Sequence, residues 1–326
     1  METSLIIETK GLKKTFYYKS KEGKKEVAAV KGVDLTVLHG EIFGFLGPNG
    51  AGKSTTQKML STMLSPTGGV AKIAGYDLSR QQAEIRKHIG YVSQAGGSDQ
   101  QSTGYENLVL QARLYGIDAK NAEKYAKESV KRFQMDSFID RPAASYSGGQ
   151  RRRLDVALGM IHKPKLLLLD EPTTGLDPQS RSYLWEEIKK LKADGVTIFL
   201  TTHYMDEADK LCDMIAIMDN GQIIAKGTPE ELKNGIGADK IELGFPSQDT
   251  AAKAIDLLKE KIKTESLTCQ ETTIHLYIKD GEGKLPEILR TLDAKNLIVE
   301  NVNMSKPSLD DVFLKYTGRS LREDKE

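Results

Sequence analysis

The segment Gly47–Ser54 constrains the fold of this chain more than any other part of its sequence. It fits the pattern G-x-x-x-x-G-K-S/T of a phosphate-binding loop. Its glycines allow positive φ angles, so that backbone N–H groups can turn toward phosphate oxygens. The apolar run Ile42–Leu46 precedes the loop, and a helical pattern over Ser54–Leu64 follows it. A buried strand that leads through such a loop into a helix predicts an α/β core.

The loop residues have predicted roles in holding a nucleotide. The N-terminus of the following helix adds a partial positive charge near the phosphates. Lys53 can reach the β- and γ-phosphates, and the hydroxyl of Ser54 can coordinate Mg²⁺. The predicted nucleotide-binding residues of this segment are Gly47, Pro48, Asn49, Gly50, Ala51, Gly52, Lys53, Ser54 and Thr55.

A pair of acidic residues follows a second apolar run. Lys165–Asp170 reads as a strand buried on both faces, as does Val196–Leu200 further along. Asp170 ends the first of these strands and is suited to help hold Mg²⁺. Glu171 is suited to orient or activate a water molecule for attack on the γ-phosphate. By itself such a pair is more often a solvated turn, so the assignment depends on the other motifs.

The segment Ser147–Gln150 identifies the class of phosphate-loop protein. It leads into a helical pattern over Arg151–Ile161, with Ser147 as the predicted N-cap and a second anion-binding helix N-terminus. Together with the phosphate loop and the acidic pair, it resembles the signature motif of ABC ATPases. The resemblance covers residues 4 to about 235. It implies ATP and Mg²⁺ as cofactors and a RecA-like P-loop NTPase fold.

The same resemblance assigns roles to residues that mean little alone. Gln94 is similar to the Q-loop glutamine, Gly175–Asp177 to the D-loop, and His203 to the switch histidine. Phe16 resembles the aromatic residue that stacks on adenine, with Tyr17 as the alternative. The implied catalytic residues are Glu171 and His203, the metal-binding residues are Ser54, Gln94 and Asp170, and the further nucleotide-binding residues are Phe16, Gln94, Ser147, Gly149, Gln150 and Asp177.

One residue departs from the family pattern. Tyr146 stands where leucine usually precedes the signature motif. We expect this side chain to pack rather than to touch nucleotide. Because Glu171 and His203 are both present, the resemblance implies a site that is competent for hydrolysis.

The chain is long enough, at 326 residues, for two domains. Helical patterns without a buried strand between them predict a helical subdomain over residues 96–163. A capping box at Thr228–Glu231 indicates that the α/β core closes near Gly235. The following β-α-β-β-α-β order predicts a small α+β ferredoxin-like domain. We therefore expect an ATPase domain over residues 1–238 and an accessory domain over 239–326.

The resemblance also implies a dimer. In ABC ATPases the signature serine of one subunit covers the γ-phosphate held by the phosphate loop of another. This chain carries one complete set of motifs. Two copies, or one copy and a homologous subunit, must then meet head to tail around two ATP molecules.

Several segments resemble ATPases of the ABC-2 exporters. They are Thr103–Leu108, Leu114–Gly116, Thr201–Ala208 and, similar to daunorubicin-resistance-type ATPases, Pro307–Leu314 with Thr317–Arg319. The sequence contains neither a signal-peptide pattern nor a run near the ~20 apolar residues that span a bilayer. The expected partner is a separate permease, which holds the chain at the cytoplasmic face of the membrane. The cargo is expected to be a drug, a lipid or another amphipathic compound, with sodium or polysaccharide as alternatives.

Other function classes fit less well. With 47 basic and 46 acidic residues the net charge is +1, which does not favour nucleic acid as a partner. Soluble ABC proteins of translation or DNA repair usually carry two cassettes or a long coiled coil, and neither pattern is present here. A kinase or GTPase would leave the signature motif unexplained, and the guanine-specifying pattern Asn-Lys-x-Asp is missing.

Overall fold

The computed structural model describes residues 4–20, 23–236, 238–264 and 266–317. The chain divides between Thr228 and Pro229 into two compact units. The domain boundary at residues 238 and 239 stays a prediction. Gly318 and Arg319, which belong to the C-terminal resemblance, lie outside the described residues.

The first unit contains two sheets and seven helices among its described residues. Its strands are β1 (Leu5–Ser20), β2 (Gly23–Leu38), β3 (Ile42–Leu46), β4 (Gly68–Ile73), β5 (Tyr76–Asp77), β6 (Ile89–Val92), β7 (Leu166–Asp170), β8 (Thr197–Thr202), β9 (Met214–Asp219) and β10 (Gln222–Gly227). Its helices are α1 (Lys53–Leu60), α2 (Gln82–His88), α3 (Gly104–Leu114), α4 (Ala119–Arg132), α5 (Gly148–Met160), α6 (Pro178–Ala193) and α7 (Met205–Leu211). A short 3-10 helix spans Ala143–Ser145.

The larger sheet forms the centre of this unit. Its strand order is β10-β9-β3-β8-β7-β6, and all neighbours are parallel except β10, which is antiparallel to β9. Strands β3, β7 and β8 are buried along their whole length, which explains their apolar sequences and confirms the α/β core. Since parallel strands end at one edge of a sheet, the residues that follow these three strands come together there.

The smaller sheet is antiparallel, with the order β2-β1-β4-β5. Apolar residues of β1 and β2, such as Ile7, Leu12 and Val33, are fully buried in one core with Phe43 and Phe199 of the larger sheet. The shared core positions the two sheets against each other within this unit.

Helix α1 is shorter than the sequence suggested. The pattern predicts a helix over Ser54–Leu64, whereas α1 ends at Leu60. Thr62 adopts a φ of 66°, a left-handed conformation that an α-helix cannot continue through. The amide of Leu64 then donates to the carbonyl of Lys58 and closes the helix end.

The segment between β6 and β7 carries α3, α4 and α5 and forms the predicted helical subdomain. Thr103, Asp118 and Ser147 cap these helices, because each side chain accepts a hydrogen bond from the backbone N–H three residues ahead. None of the helices in the described part of the chain combines the length and the apolar character needed to cross a membrane.

Tyr146 packs as expected. Its side chain is buried, and its hydroxyl donates to the carbonyl of Ile139 at 3.2 Å. Its ring meets that of Phe138 edge to face, with centroids 4.9 Å apart. The departure from leucine therefore serves packing of the helical subdomain.

The second unit is a ferredoxin-like domain, as the sequence predicted. Its elements are α8 (Pro229–Asn234), β11 (Asp239–Gly244), α9 (Gln248–Lys261), β12 (Ser266–Gln270), β13 (Thr273–Ile278), α10 (Gly281–Asp293), β14 (Asn301–Ser305) and α11 (Leu309–Thr317). The sheet is antiparallel with the order β12-β13-β11-β14. Apolar residues of β11 and β13 form one core with residues of α9 and α10.

Strand β14 begins later than the predicted Leu297–Met304. The amide of Leu297 donates to the carbonyl of Leu292 and so belongs to the end of α10. Leu297 and Val299 pack against the core, and pairing with β11 begins at Asn301 opposite Gly244.

Candidate active site

The phosphate loop runs from the end of β3 to the start of α1. Gly50 and Gly52 adopt φ angles of 79° and 107°, which favour glycine. A Cβ atom at Gly47 would lie 2.2 Å from the carbonyl oxygen of Met218, and one at Gly52 would lie 2.5 Å from that of Ala29. The glycines therefore permit both the curvature of the loop and its close approach to neighbouring backbone.

Lys53 lies across the loop. Its Nζ donates to the carbonyl oxygens of Gly47 at 2.7 Å and Pro48 at 2.9 Å. The same atom is 3.8 Å from Oε1 of Glu171. Burial lowers the pKa of Lys53, and the carboxylates of Glu171 and Asp170 act in the opposite direction. The ammonium group thus lies between the loop and the acidic pair.

Ser54 and Asp170 meet at the edge of the sheet. The Ser54 hydroxyl donates to Oδ1 of Asp170 at 2.9 Å. Thr201, at the end of β8, donates to the same oxygen at 2.6 Å. A hydroxyl and a carboxylate in contact are hard oxygen donors of the kind that Mg²⁺ prefers.

Glu171 has a left-handed backbone, with φ of 43°. Its N–H donates to both the carbonyl and the hydroxyl oxygen of Thr201, each at 3.1 Å. Its Oε2 accepts from Nε2 of Gln94 at 3.1 Å and from the hydroxyl of Thr174 at 3.2 Å. These contacts hold a conformation that costs on the order of 1 kcal/mol or more in a residue with a side chain.

His203 lies on the other side of the Glu171 carboxylate. Its Nδ1 is 3.2 Å from Oε1 of Glu171, without the geometry of a hydrogen bond. The pKa of Glu171 lies below its usual value despite partial burial. The ring of His203 lowers it most, and the positive charge of Lys53 lowers it further. Glu171 is therefore ionised at neutral pH.

The signature motif and the D-loop form a second cluster. Ser147 and Gln150 make a reciprocal capping box at the start of α5, with N–H to side-chain oxygen distances of 3.3 and 3.1 Å. Asp177 caps α6 by accepting from the N–H of Ser180 at 2.9 Å. A Cβ atom at Gly149 would lie 2.4 Å from the Ser180 hydroxyl, so the two helix starts are in contact. Among the described residues, no hydrogen bond or ion pair joins this cluster to the phosphate loop.

A cavity of about 370 Å³ lies beside the phosphate loop. Its lining residues are Ala29, Asn49, Gly50, Gly52, Lys53, Ser54, Thr55, Gln94 and Glu171. Phe16 lies outside this lining, on β1 opposite Val27, with its ring stacked near that of Tyr18. Tyr17 is exposed.

Two residues of the site were not predicted from the sequence. Thr201 contacts both Asp170 and the backbone of Glu171, and Thr174 contacts the Glu171 carboxylate. A hydroxyl near the end of a predicted buried strand marks Thr201 as a candidate site residue, but its contact with Asp170 follows from the pairing of β8 with β7, which the sequence does not show.

Two family patterns match the chain. The pattern described as ABC transporter matches residues 30–174. The pattern described as ATP-binding protein DrrA1-3-like, C-terminal domain, matches residues 227–317. The two matches fall on the α/β part of the chain and on the ferredoxin-like part.

Curated relatives are similar along nearly the whole chain. The daunorubicin resistance ATP-binding protein DrrA2 of Streptomyces coeruleorubidus is 42% identical, over 90% of this chain and 91% of that protein. The daunorubicin/doxorubicin resistance ATP-binding protein DrrA of Streptomyces peucetius is 41% identical, over 96% and 92%. The linearmycin resistance ATP-binding protein LnrL of Bacillus subtilis is 33% identical, over 98% and 100%.

Solved structures of ATP-binding cassettes are similar to part of the chain. A dimeric cassette in a post-hydrolysis state with ADP and inorganic phosphate aligns with a TM-score of 0.62 and 26% identity, over 68% of this chain and 98% of that one. The cassette cbiO1 of Clostridium perfringens, part of the transporter complex cbiONQ, aligns with a TM-score of 0.60 and 28% identity, over 72% and 93%.

Proposed function

Because this chain belongs to the ATP-binding subunits of ABC transporters, in the branch with a DrrA-like C-terminal domain, we propose that Glu171 and the phosphate loop drive an ABC-2 type exporter by hydrolysing ATP. The main support for this proposal is that three side chains surround the carboxylate of Glu171. Gln94, His203 and Lys53 all lie within 3.8 Å of its carboxylate oxygens.

Glu171 orients the attacking water and accepts its proton. The oxygen of that water forms a bond to the γ-phosphorus, and the bond from this phosphorus to the oxygen of ADP breaks. Because phosphoryl transfer passes through a loose transition state, positioning of the water contributes more than strong basicity. A carboxylate with a lowered pKa, held by Gln94 and Thr174, fits that requirement.

Mg²⁺ fits the oxygen donors beside the phosphate loop. Ser54 and Gln94 would hold the ion, and Asp170 would support it through Ser54. No cluster of three or more His, Cys, Asp or Glu side chains suited to a metal occurs in the described ranges. Mg²⁺ would take its other ligands from phosphate and water. When bound, the ion would neutralise charge on the phosphates.

Replacing Ser54 with alanine tests the metal assignment. We expect the Mg²⁺ concentration that gives half-maximal hydrolysis to rise about tenfold, because one oxygen ligand and its link to Asp170 are lost. The measurement is a Mg²⁺ titration of ATPase rate at saturating ATP. Ser61→Ala is the matched control, since its hydroxyl donates to the Lys58 carbonyl at the end of α1. An unchanged titration for Ser54→Ala would refute the assignment.

We propose that two chains complete each other's sites. The signature and D-loop residues cluster together on one chain, and the phosphate loop lies with Glu171. In this arrangement Ser147, Gly149, Gln150 and Asp177 contact the ATP that a partner chain holds. Two copies related by a two-fold axis satisfy both sites.

The proposed permease contact is on the helical subdomain. Leu110 and Leu114 lie one turn apart on α3 and are 53% and 72% exposed. Adjacent exposed leucines favour a protein interface over a solvated helix face. A permease docked here would place the chain at the cytoplasmic face of the membrane, with a drug, lipid or other amphipathic compound as cargo.

Charged substitutions at Leu110 and Leu114 test the proposed permease contact. The chain is co-expressed with a candidate permease from the same genome, and the two are expected to co-purify. We expect Leu110→Glu with Leu114→Glu to reduce recovery of the pair by about tenfold, because charged groups disfavour a buried apolar contact. Met63→Glu, at a residue that is 63% exposed elsewhere on the same unit, is expected to leave recovery unchanged. Full recovery with the leucine variants would exclude α3 as the docking helix.

A further inference from the structure

Helix α5 begins at the signature motif and carries three consecutive arginines, 151–153. Arg152 is only 7% exposed, and its guanidinium faces backbone carbonyl groups. Its Nε donates to Pro172 at 2.7 Å, its Nη1 to Ser93 at 2.8 Å, and its Nη2 to Asp170 at 3.1 Å. One planar side chain therefore joins two separate segments of the chain.

These carbonyl groups surround the proposed catalytic machinery. Asp170 and Pro172 lie immediately before and after Glu171, whose backbone is in the left-handed region. Ser93 immediately precedes Gln94, which donates to Glu171. The Arg152 guanidinium thus fixes the main chain on both sides of Glu171 and on one side of Gln94.

A second residue of α5 holds the other end of the Gln94 segment. The Oδ1 of Asp155 accepts from the N–H of Gly97 at 3.2 Å. A Cβ atom at Gly96 would lie 2.8 Å from the same carboxylate, so this segment packs tightly on the helix. Burial lowers the pKa of Arg152, and the opposite charge of Asp155 offsets part of this effect.

The neighbouring arginine differs. Arg153 places its guanidinium 3.6 Å from the centre of the Tyr183 ring. It therefore packs α5 against α6 and provides a control from the same helix.

We infer that Arg152 is a positioning residue for ATP hydrolysis, because it fixes the positions of Glu171 and Gln94 relative to each other. The inference depends on the proposed roles of Glu171 and Gln94. It assigns to Arg152 the placement of the water-orienting groups and no part in binding the nucleotide.

The test compares Arg152→Gln and Arg152→Lys with wild type in the full-length chain. We expect kcat for ATP to fall about 10²-fold in Arg152→Gln and at least about tenfold in Arg152→Lys, because small displacements of reacting groups have effects of this size. KM and the Kd for a fluorescent ATP analogue are expected to stay within about twofold of wild type, since phosphate-loop contacts are intact. Arg153→Gln removes the same charge and is expected to keep kcat within about threefold of wild type.

A double-mutant cycle separates positioning from general damage. If Arg152 acts through Glu171, adding Arg152→Lys to Glu171→Gln lowers the residual rate by less than about twofold. Independent, multiplicative losses would overturn the inference, as would an Arg152→Lys variant with wild-type kcat. If Arg152→Gln does not fold, the lysine variant decides alone. A wild-type rate in Glu171→Gln would instead refute the proposed function.

Discussion

Glu171→Gln is expected to bind ATP normally but to hydrolyse it about 10³-fold more slowly than wild type. The amide oxygen of the new side chain can still accept from Gln94 and Thr174, so the local structure is retained. The amide cannot take a proton from water. Because ATP then persists between two chains, the variant is expected to accumulate as a closed dimer.

Light scattering coupled to size-exclusion chromatography measures this outcome as a doubling of mass that depends on ATP. Glu186→Gln is the matched control, because the carboxylate of Glu186 is exposed and pairs with Lys189 at 3.4 Å. That variant is expected to hydrolyse ATP at the wild-type rate. Normal turnover in Glu171→Gln would show that another group activates the water.

The local parts of the site could be predicted from sequence because each is encoded in a few consecutive residues. The phosphate loop follows strand β3 and leads directly into α1 at Lys53, as its pattern requires. Ser147 caps α5 as predicted, and the comparisons confirm the resemblance to ABC ATPases of the daunorubicin-resistance type. The sheet order of the second unit likewise confirms the ferredoxin-like prediction.

Contacts between distant strands could not be predicted in the same way. Thr201 reaches Asp170 because β8 lies between β3 and β7 in the sheet, and one sequence does not reveal strand order. Arg152 is chemically identical to its two neighbours. Only the rotation of α5 decides that Arg152 faces the backbone around Glu171 while Arg153 faces Tyr183.

Element ends were also imprecise, since backbone conformation at single residues decides them. The helix predicted over Ser54–Leu64 ends at Leu60, just before the left-handed Thr62. The strand predicted over Leu297–Met304 starts late, because Leu297 first closes α10. In both segments the apolar spacing extends past the regular helix or strand, so it does not mark where the element begins or ends.

Two inactive variants are expected to restore each other's activity when mixed. Lys53→Ala removes the ammonium group that lies across the phosphate loop. Gly148→Asp adds a carboxylate at the start of the signature helix. There is room for this side chain, because a Cβ at Gly148 would lie 3.8 Å from the Leu176 side chain, an ordinary contact distance. Each variant alone is expected to lose hydrolysis by about 10²-fold or more. Lys53→Ala removes a positive charge near the phosphates, and Gly148→Asp adds a negative one.

A mixed dimer contains one chain of each variant, so its two ATP sites are not equivalent. One site combines both altered segments, whereas the other combines the intact phosphate loop of one chain with the intact signature motif of its partner. If the two sites act independently, an equal mixture is expected to regain up to roughly a quarter of the wild-type rate, since half of the dimers are mixed and each has one working site. The measurement is the steady-state ATPase rate of chains carrying different tags, with mixed dimers verified by sequential purification.

A chain that carries both Lys53→Ala and Gly148→Asp provides the control. Mixed with either single variant, it yields no site with two intact parts, so no recovery is expected. If verified mixed dimers of the two single variants also remain inactive, head-to-tail completion of the sites is wrong. Recovery would instead show that Ser147–Gln150 contacts the ATP held by the partner chain. This agrees with the position of the signature motif beside Ser180 and the D-loop on its own chain.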